Sequence, residues 1–135
     1  MDRGADGKIV SSLAESYRAL NDNTWRFQLR KNVKFHNGEP FNAEAAAFSV
    51  NRIVDKNYKT QRASYIENIK GAKAVDEYTV DVITDGTNAV LPVQMTQLVM
   101  VPPKAASDKS FGDRPVGTGP YKFMAWERGR DITLV

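Results

Sequence analysis

The sequence predicts an α+β fold: mainly antiparallel strands, one longer helix and one or two short ones. Three observations predict it. Several stretches alternate apolar and polar residues as half-buried strands do, polar turn clusters close them into hairpins, and one alanine-rich run repeats at helical spacing. Strands and helices are interspersed with no regular βαβ beat, which favours antiparallel pairing over a parallel sheet.

The first clear strand holds Trp25, Phe27 and Leu29 on one side and Arg26, Gln28 and Arg30 on the other. Asn21-Asp22-Asn23 precedes it, residues that hydrogen-bond their own backbone and tolerate tight turns. Asn42 suits a helix N-cap and Glu44 complements the positive end of the dipole. Ala43, Ala47, Val50, Ile53 and Val54 then share one face, so a helix is expected over about 43–54. Ala72 to Val75, the polar pair Asp76-Glu77, and Val80 and Val82 alternating with Thr79 and Asp81 read as a hairpin. A short helix is expected from Pro92, tolerated in a first turn, to about Leu98. Residues 102–115 are rich in Pro, Ser, Lys, Asp and Gly and read as a surface loop. Tyr121, Phe123 and Ala125, the turn Glu127 to Arg130, then Ile132 and Leu134 make a second hairpin.

Composition narrows the function. With 135 residues, 41% hydrophobic and 26% charged, the chain suits one globular domain with its own core. No apolar run approaches the ~18 residues a spanning helix needs. Cysteine is absent, which removes disulfides and thiolate chemistry, and His36 is the single histidine, so no site can draw two imidazoles from one chain. No metal site and no cofactor is implied. The 19 basic and 16 acidic residues are scattered; the densest basic patch, Arg26, Arg30, Lys31 and Lys34, reads as a solvated strand face, so nucleic acid is not an expected partner. Met1 to Gly7 has no apolar h-region, and no signal peptide is expected within this sequence.

Four constellations bear on chemistry. Pro115-Val116-Gly117-Thr118-Gly119-Pro120-Tyr121 resembles a phosphate cradle only superficially: no Lys-Ser/Thr follows, a strand stands where a helix is needed, and Pro120 removes an N–H. A tight turn, with glycines free to take positive φ, accounts for it better. His36 falls just before the Asn37-Gly38 bend; no nucleophile elbow exists for it to serve, and a structural imidazole bonded to a turn is the preferred reading. Glu39 and Glu44 could pair for acid–base work, but a turn residue and a helix-start carboxylate explain them separately. The 13 aromatics, from Tyr17 and Trp25 through Phe48, Tyr58 and Tyr65 to Phe123 and Trp126, are expected mostly in the core. No catalytic residue is assigned.

Four motifs occur in one order: Leu13 to Tyr17, Trp25 to Glu44, Val75 to Val80, and Pro115 to Tyr121. Together they resemble the signature of family 5 solute-binding proteins, the extracytoplasmic peptide- and nickel-binding receptors of ABC importers. The likeness runs through nearly the whole chain from Ile9. It departs at Ala45 and Ala46, where the family usually continues with Asp-Val, and at Asn37, where aspartate is common.

The resemblance implies a partial lobe of a periplasmic-binding-protein-like II fold. Residues 1–116 would form an accessory subdomain of the first lobe and 117–135 the glycine turn and a hairpin returning to the main lobe, with the second lobe outside this piece. It implies a receptor that captures peptides or a similar solute and passes them to a transporter permease, periplasmic or lipid-anchored outside the cell. The piece itself would be mainly scaffold, with Arg114 and Tyr121 the nearest guesses for cleft-facing positions and the ligand-binding residues unassigned. Two alternatives stand beside this: an enzyme using His36 or a carboxylate as base, and a stand-alone interaction domain. Uncovered sheet edges and apolar surface would favour a homo-oligomer.

Overall fold

The structure, a computed structural model, describes residues 1–58 and 66–135. Tyr65 lies outside the described residues. A two-stranded ribbon, β1 (Asp2–Arg3) with β2 (Ile9–Val10), opens the chain. Strands β3 (Ala14–Asn21), β4 (Thr24–Leu29), β5 (Ile69–Asp76) and β6 (Thr79–Thr84) then build one antiparallel sheet in the order β3-β4-β6-β5. β3 escapes a pattern reading: only Ala14 of its eight residues is buried, so the sequence carries no alternation to mark it.

Register follows from the alternation. Phe27 faces Val80 and Trp25 faces Val82 across the β4–β6 ladder, placing four apolar side chains on one surface. The other surface is polar: Arg26 Nε and Nη2 donate to the two carboxylate oxygens of Asp81 at 2.7 and 2.8 Å, and Lys31 lies over the Tyr78 ring. The basic patch is therefore partly neutralised in place. Asn23 N–H donates to Asn21 Oδ1 at 3.0 Å, the side-chain turn expected before β4.

Helix α1 (Ala43–Val54) covers the apolar surface over β5 and β6. Asn42 caps it, its side-chain oxygen accepting from Ala45 N–H at 3.0 Å. The buried arc comprises Ala43, Ala45, Ala46, Ala47, Ser49 and Val50, with Ile53 and Val54 only half-buried, so it is broader and turned from the expected stripe. Alanines there let the helix backbone approach the sheet closely, and Ala45 and Ala46 are buried as well. The Asn51 amide takes both Ala72 N–H (2.8 Å) and Ala72 C=O (2.9 Å), which blocks part of the β5 edge. A Cβ at Gly71 would stand 2.8 Å from Asn51 Oδ1, so that approach requires glycine.

Phe41 and Phe35 meet edge to face at 5.9 Å within this core. Leu91 and Met95 of α2 (Leu91–Met95), with Leu98, close its end. A cavity of about 50 Å³ remains among Phe27, Leu29, Val82, Met95 and Leu98. The expected surface loop at 102–115 is instead partly helical: α3 (Pro103–Ala106) and a 3₁₀ turn (Lys109–Gly112) lie within it, and Pro102 is buried. Prolines at a helix start, Ser107 Oγ donating back to Pro103 C=O, and Asp108 capping Ser110 N–H make these turns from residues that composition alone assigns to loops. Strands β7 (Phe123–Glu127) and β8 (Asp131–Leu134) end the chain as a separate antiparallel ribbon, with Gly129 at φ 80° in its turn.

Candidate functional site

The candidate site grows from the loop 33–41. Phe41 N–H donates to Val33 C=O and Phe35 N–H to Glu39 C=O, pinching the loop into a narrow hairpin. Gly38 turns its tip at φ 87°, a conformation that costs glycine little. This leaves His36 and Glu39 projecting toward segments far along the chain.

His36 reaches the glycine segment. Its backbone N–H donates to Gly117 C=O at 2.9 Å, and its imidazole Nε2–H donates to Gly119 C=O at 2.8 Å. The expected structural imidazole is present, though it bonds a turn 83 residues away and not its own. The glycine segment offers carbonyls here, the opposite polarity to a phosphate cradle. Neither Gly117 nor Gly119 takes a positive φ, so the reason expected for the glycines is corrected.

Glu39 reaches α3. Its two oxygens accept from Lys104 N–H at 3.1 Å and Ala105 N–H at 3.2 Å, capping the helix start, and Asn37 Nδ2 donates to it at 2.6 Å. Desolvation would raise its pKa, but the bonds from Lys104 N–H, Asn37 and Ala105 N–H outweigh that and hold the carboxyl below the ordinary glutamate range. The turn reading of Glu39 captured its bond to Asn37 and missed the longer one. Glu44 stands apart, lining a hollow with Asp76 and Glu77 at the start of α1, so the imagined carboxylate pair is not assembled.

Between these anchored segments lies an open groove of about 350 Å³. Val99, Val101, Phe111, Val116, Tyr121 and Leu134 line it, together with His36. Among the described residues no Lys, Arg, Asp or Glu lines it. Ser49 ties the Val99–Val101 segment to α1: its buried hydroxyl donates to Ala45 C=O at 2.7 Å and accepts from Val101 N–H at 2.9 Å. With Leu98 and Val101 buried, Val99 is turned outward at 60% exposure.

A second hollow, about 960 Å³, opens among Ser110, Asp113, Arg114, Met124, Trp126 and Arg128. Arg128 Nη2 donates to Asp113 Oδ1 at 2.6 Å across it. Arg114 and Tyr121, paired in the sequence reading as flanks of the glycine turn, thus line different hollows. Sequence reasoning passed over Val99 and Ser49. The run Leu98-Val99-Met100-Val101 was the available signal for the first; nothing local marks the second. Tyr17, Tyr58, Tyr121 and Trp126 are exposed, against the expectation of core packing. Among the described residues no three His, Cys, Asp or Glu side chains converge to hold a metal ion.

Comparison with known proteins gives this geometry a family. The family model described as bacterial extracellular solute-binding proteins, family 5 Middle, matches residues 8–135. The glutathione-binding protein GsiB of Pectobacterium atrosepticum is 34% identical over 128 residues, covering 91% of this chain and 25% of the relative. The oligopeptide-binding protein AppA of Bacillus subtilis is 31% identical over 139 residues, covering 93% and 25%. Its solved structure with a nonapeptide superposes with a TM-score of 0.89 at 24% identity, over 98% of this chain and 29% of that one. AgaA of A. tumefaciens R10, solved with agropinic acid, gives 0.85 at 32% identity over 98% and 28%. These relatives are named as binding proteins, and the chain spans about a quarter of the length of the curated ones it matches. The architecture is thus an α+β portion of a periplasmic binding protein, and the chain belongs to the bacterial extracellular solute-binding proteins of family 5.

Proposed function

We propose that this chain works as part of an ABC-importer receptor that captures a peptide or similar solute outside the cytoplasm and presents it to a permease. Residues 1–116 act as an accessory subdomain of the first lobe, and residues 117–135 as the glycine segment and hairpin returning to the main lobe. The receptor is periplasmic or held outside by a lipid anchor. Binding is a closure of two lobes about the solute, with no bond chemistry. The observation that carries the reading is the family match through 8–135, strengthened by relatives named for glutathione and oligopeptide binding. The apolar groove is the part of the solute-facing wall this chain contributes.

One wall of a two-sided site binds feebly, because most of a ligand's surface must be enclosed for tight binding. Calorimetric titration of the chain with di- to pentapeptides is expected to give dissociation constants of about 1 mM or weaker. Micromolar affinity would overturn the scaffold assignment. The flanking coding sequence tests the larger reading: a leader upstream and a second lobe downstream are expected, and stop codons bounding both sides would end it.

Self-association is a second reading, favoured by the β7–β8 ribbon. Met124, Trp126, Ile132 and Leu134 are all exposed on it, and a two-stranded ribbon has two unpaired edges. Sedimentation at high concentration is expected to show dimers or larger species; a clean monomer removes this reading.

A further inference from the structure

We infer that residues 103–121 form a strap that opens and closes as one unit, latched to the body at two points by one hairpin: Glu39 on α3 and His36 on the glycine segment. The inference stands apart from the receptor reading, because both latches and the whole strap lie in this chain.

Three observations carry it. The first is shallow seating. Val101 and Pro102 are buried, but from Pro103 to Tyr121 no residue is, so lifting this stretch exposes little apolar surface. Val116 packs half-buried against the core, and the Arg52 guanidinium lies 5.6 Å from the centre of the Phe111 ring. The second is that both latches share a rigid mount. Phe35 and Phe41 are buried, and three backbone bonds close the hairpin: Phe35 N–H to Glu39 C=O, Gly38 N–H to Phe35 C=O and Phe41 N–H to Val33 C=O. From this mount Glu39 accepts from Lys104 and Ala105 N–H near one end of the strap, and His36 donates to Gly117 and Gly119 C=O near the other. The third is continuity between the grips. Turn bonds run from Ala106 N–H to Pro102 C=O, from Asp108 N–H to Ala105 C=O and from Arg114 N–H to Ser110 C=O, so the stretch moves as a piece. It is also the stretch of chain that joins the core to the β7–β8 ribbon, so the latches limit how far that ribbon can move.

The test is amide hydrogen exchange on the 135-residue chain, followed by NMR. Glu39→Ala is expected to speed exchange at Lys104 and Ala105, its own partners. It is also expected to speed the His36 amide, which is bonded to the opposite end of the strap, by about three- to tenfold, as loss of one latch provides. His36→Ala is expected to speed Lys104 and Ala105 about twofold. Glu39→Gln, which keeps an acceptor, should restore part of the protection at His36. The Phe35, Gly38 and Phe41 amides are expected to keep their native rates, because the hairpin itself stays closed, and so are Val80 and Val82 in β6. If each variant speeds only its own end, the two ends open independently and there is no strap. If the hairpin amides accelerate together with His36, the effect is fraying of the mount and the inference fails. Equal acceleration at Val80 and Val82 would mean that the whole fold opens, and would overturn it as well.

Discussion

Strands β6 and β8 carry similar alternation and meet opposite fates. In β6, Val80 and Val82 are buried beneath α1, with β4 on one side and β5 on the other. In β8, Ile132 and Leu134 alternate in the same way yet stay 59% and 53% exposed, with β7 as the single paired neighbour. Alternation decides which side chains share a face; whether that face is dry depends on a second layer. Among the described residues the four-stranded sheet has its layer, α1, and the terminal ribbon has none. The same difference separates the apolar segments of the core from the groove, where Val99 and Tyr121 stay in water.

The largest expected effect sharpens this contrast. Phe41→Ala removes a side chain among the most fully buried and is expected to cost about 3–5 kcal/mol in denaturant unfolding. Ile132→Ala is expected to stay within about 0.5 kcal/mol. Comparable losses at the two sites would mean that the ribbon is covered in solution, and the comparison would break.

Ser49→Ala comes next. It strips the buried acceptor from Val101 N–H and is expected to cost about 1–3 kcal/mol, measured in the same way. Its amide shifts should spread to Val99, because the groove wall loses its tie to α1. A loss confined to α1 would show that the wall is fixed by something else.

His36→Ala removes one solvent-exposed hydrogen bond to the glycine segment, expected to cost about 0.5 kcal/mol. His36→Gln, whose amide can donate to the same carbonyl, is expected to recover part of it. Full loss in both variants would show that the backbone bond to Gly117 does not hold the segment unaided and that the imidazole's shape matters beyond its donor.

The smallest effect is in pH dependence. The Glu39 carboxyl is held below its ordinary value, so in the unfolded chain it takes up a proton at higher pH than in the folded one. Its contribution is complete above the unfolded value of about 4.3 and fades as pH falls through the folded one. The stability advantage of the native protein over Glu39→Gln should therefore shrink on acidification through that window. An advantage unchanged across it would show that Lys104 and Ala105 N–H do not depend on the charge.

Much was legible from the residues alone because the causes are local. The Asn42 cap, the 43–54 helix, the Asn21 turn and the hairpins around Asp76 and Arg130 are fixed by neighbours a few positions apart, and the four ordered motifs point to the family. What the tertiary structure decided involves partners tens of residues apart. β3 is a strand because β4 pairs with it, not because its own sequence alternates. His36 serves Gly117 and Gly119, Glu39 serves α3, and Ser49 holds Val101; no spacing rule links such positions. The groove exists only where those contacts bring two segments together, so Val99 and Tyr121 become a pair through folding and not through sequence. Local propensity sets which elements form, while long-range hydrogen bonds and the supply of a covering layer set which surfaces stay exposed.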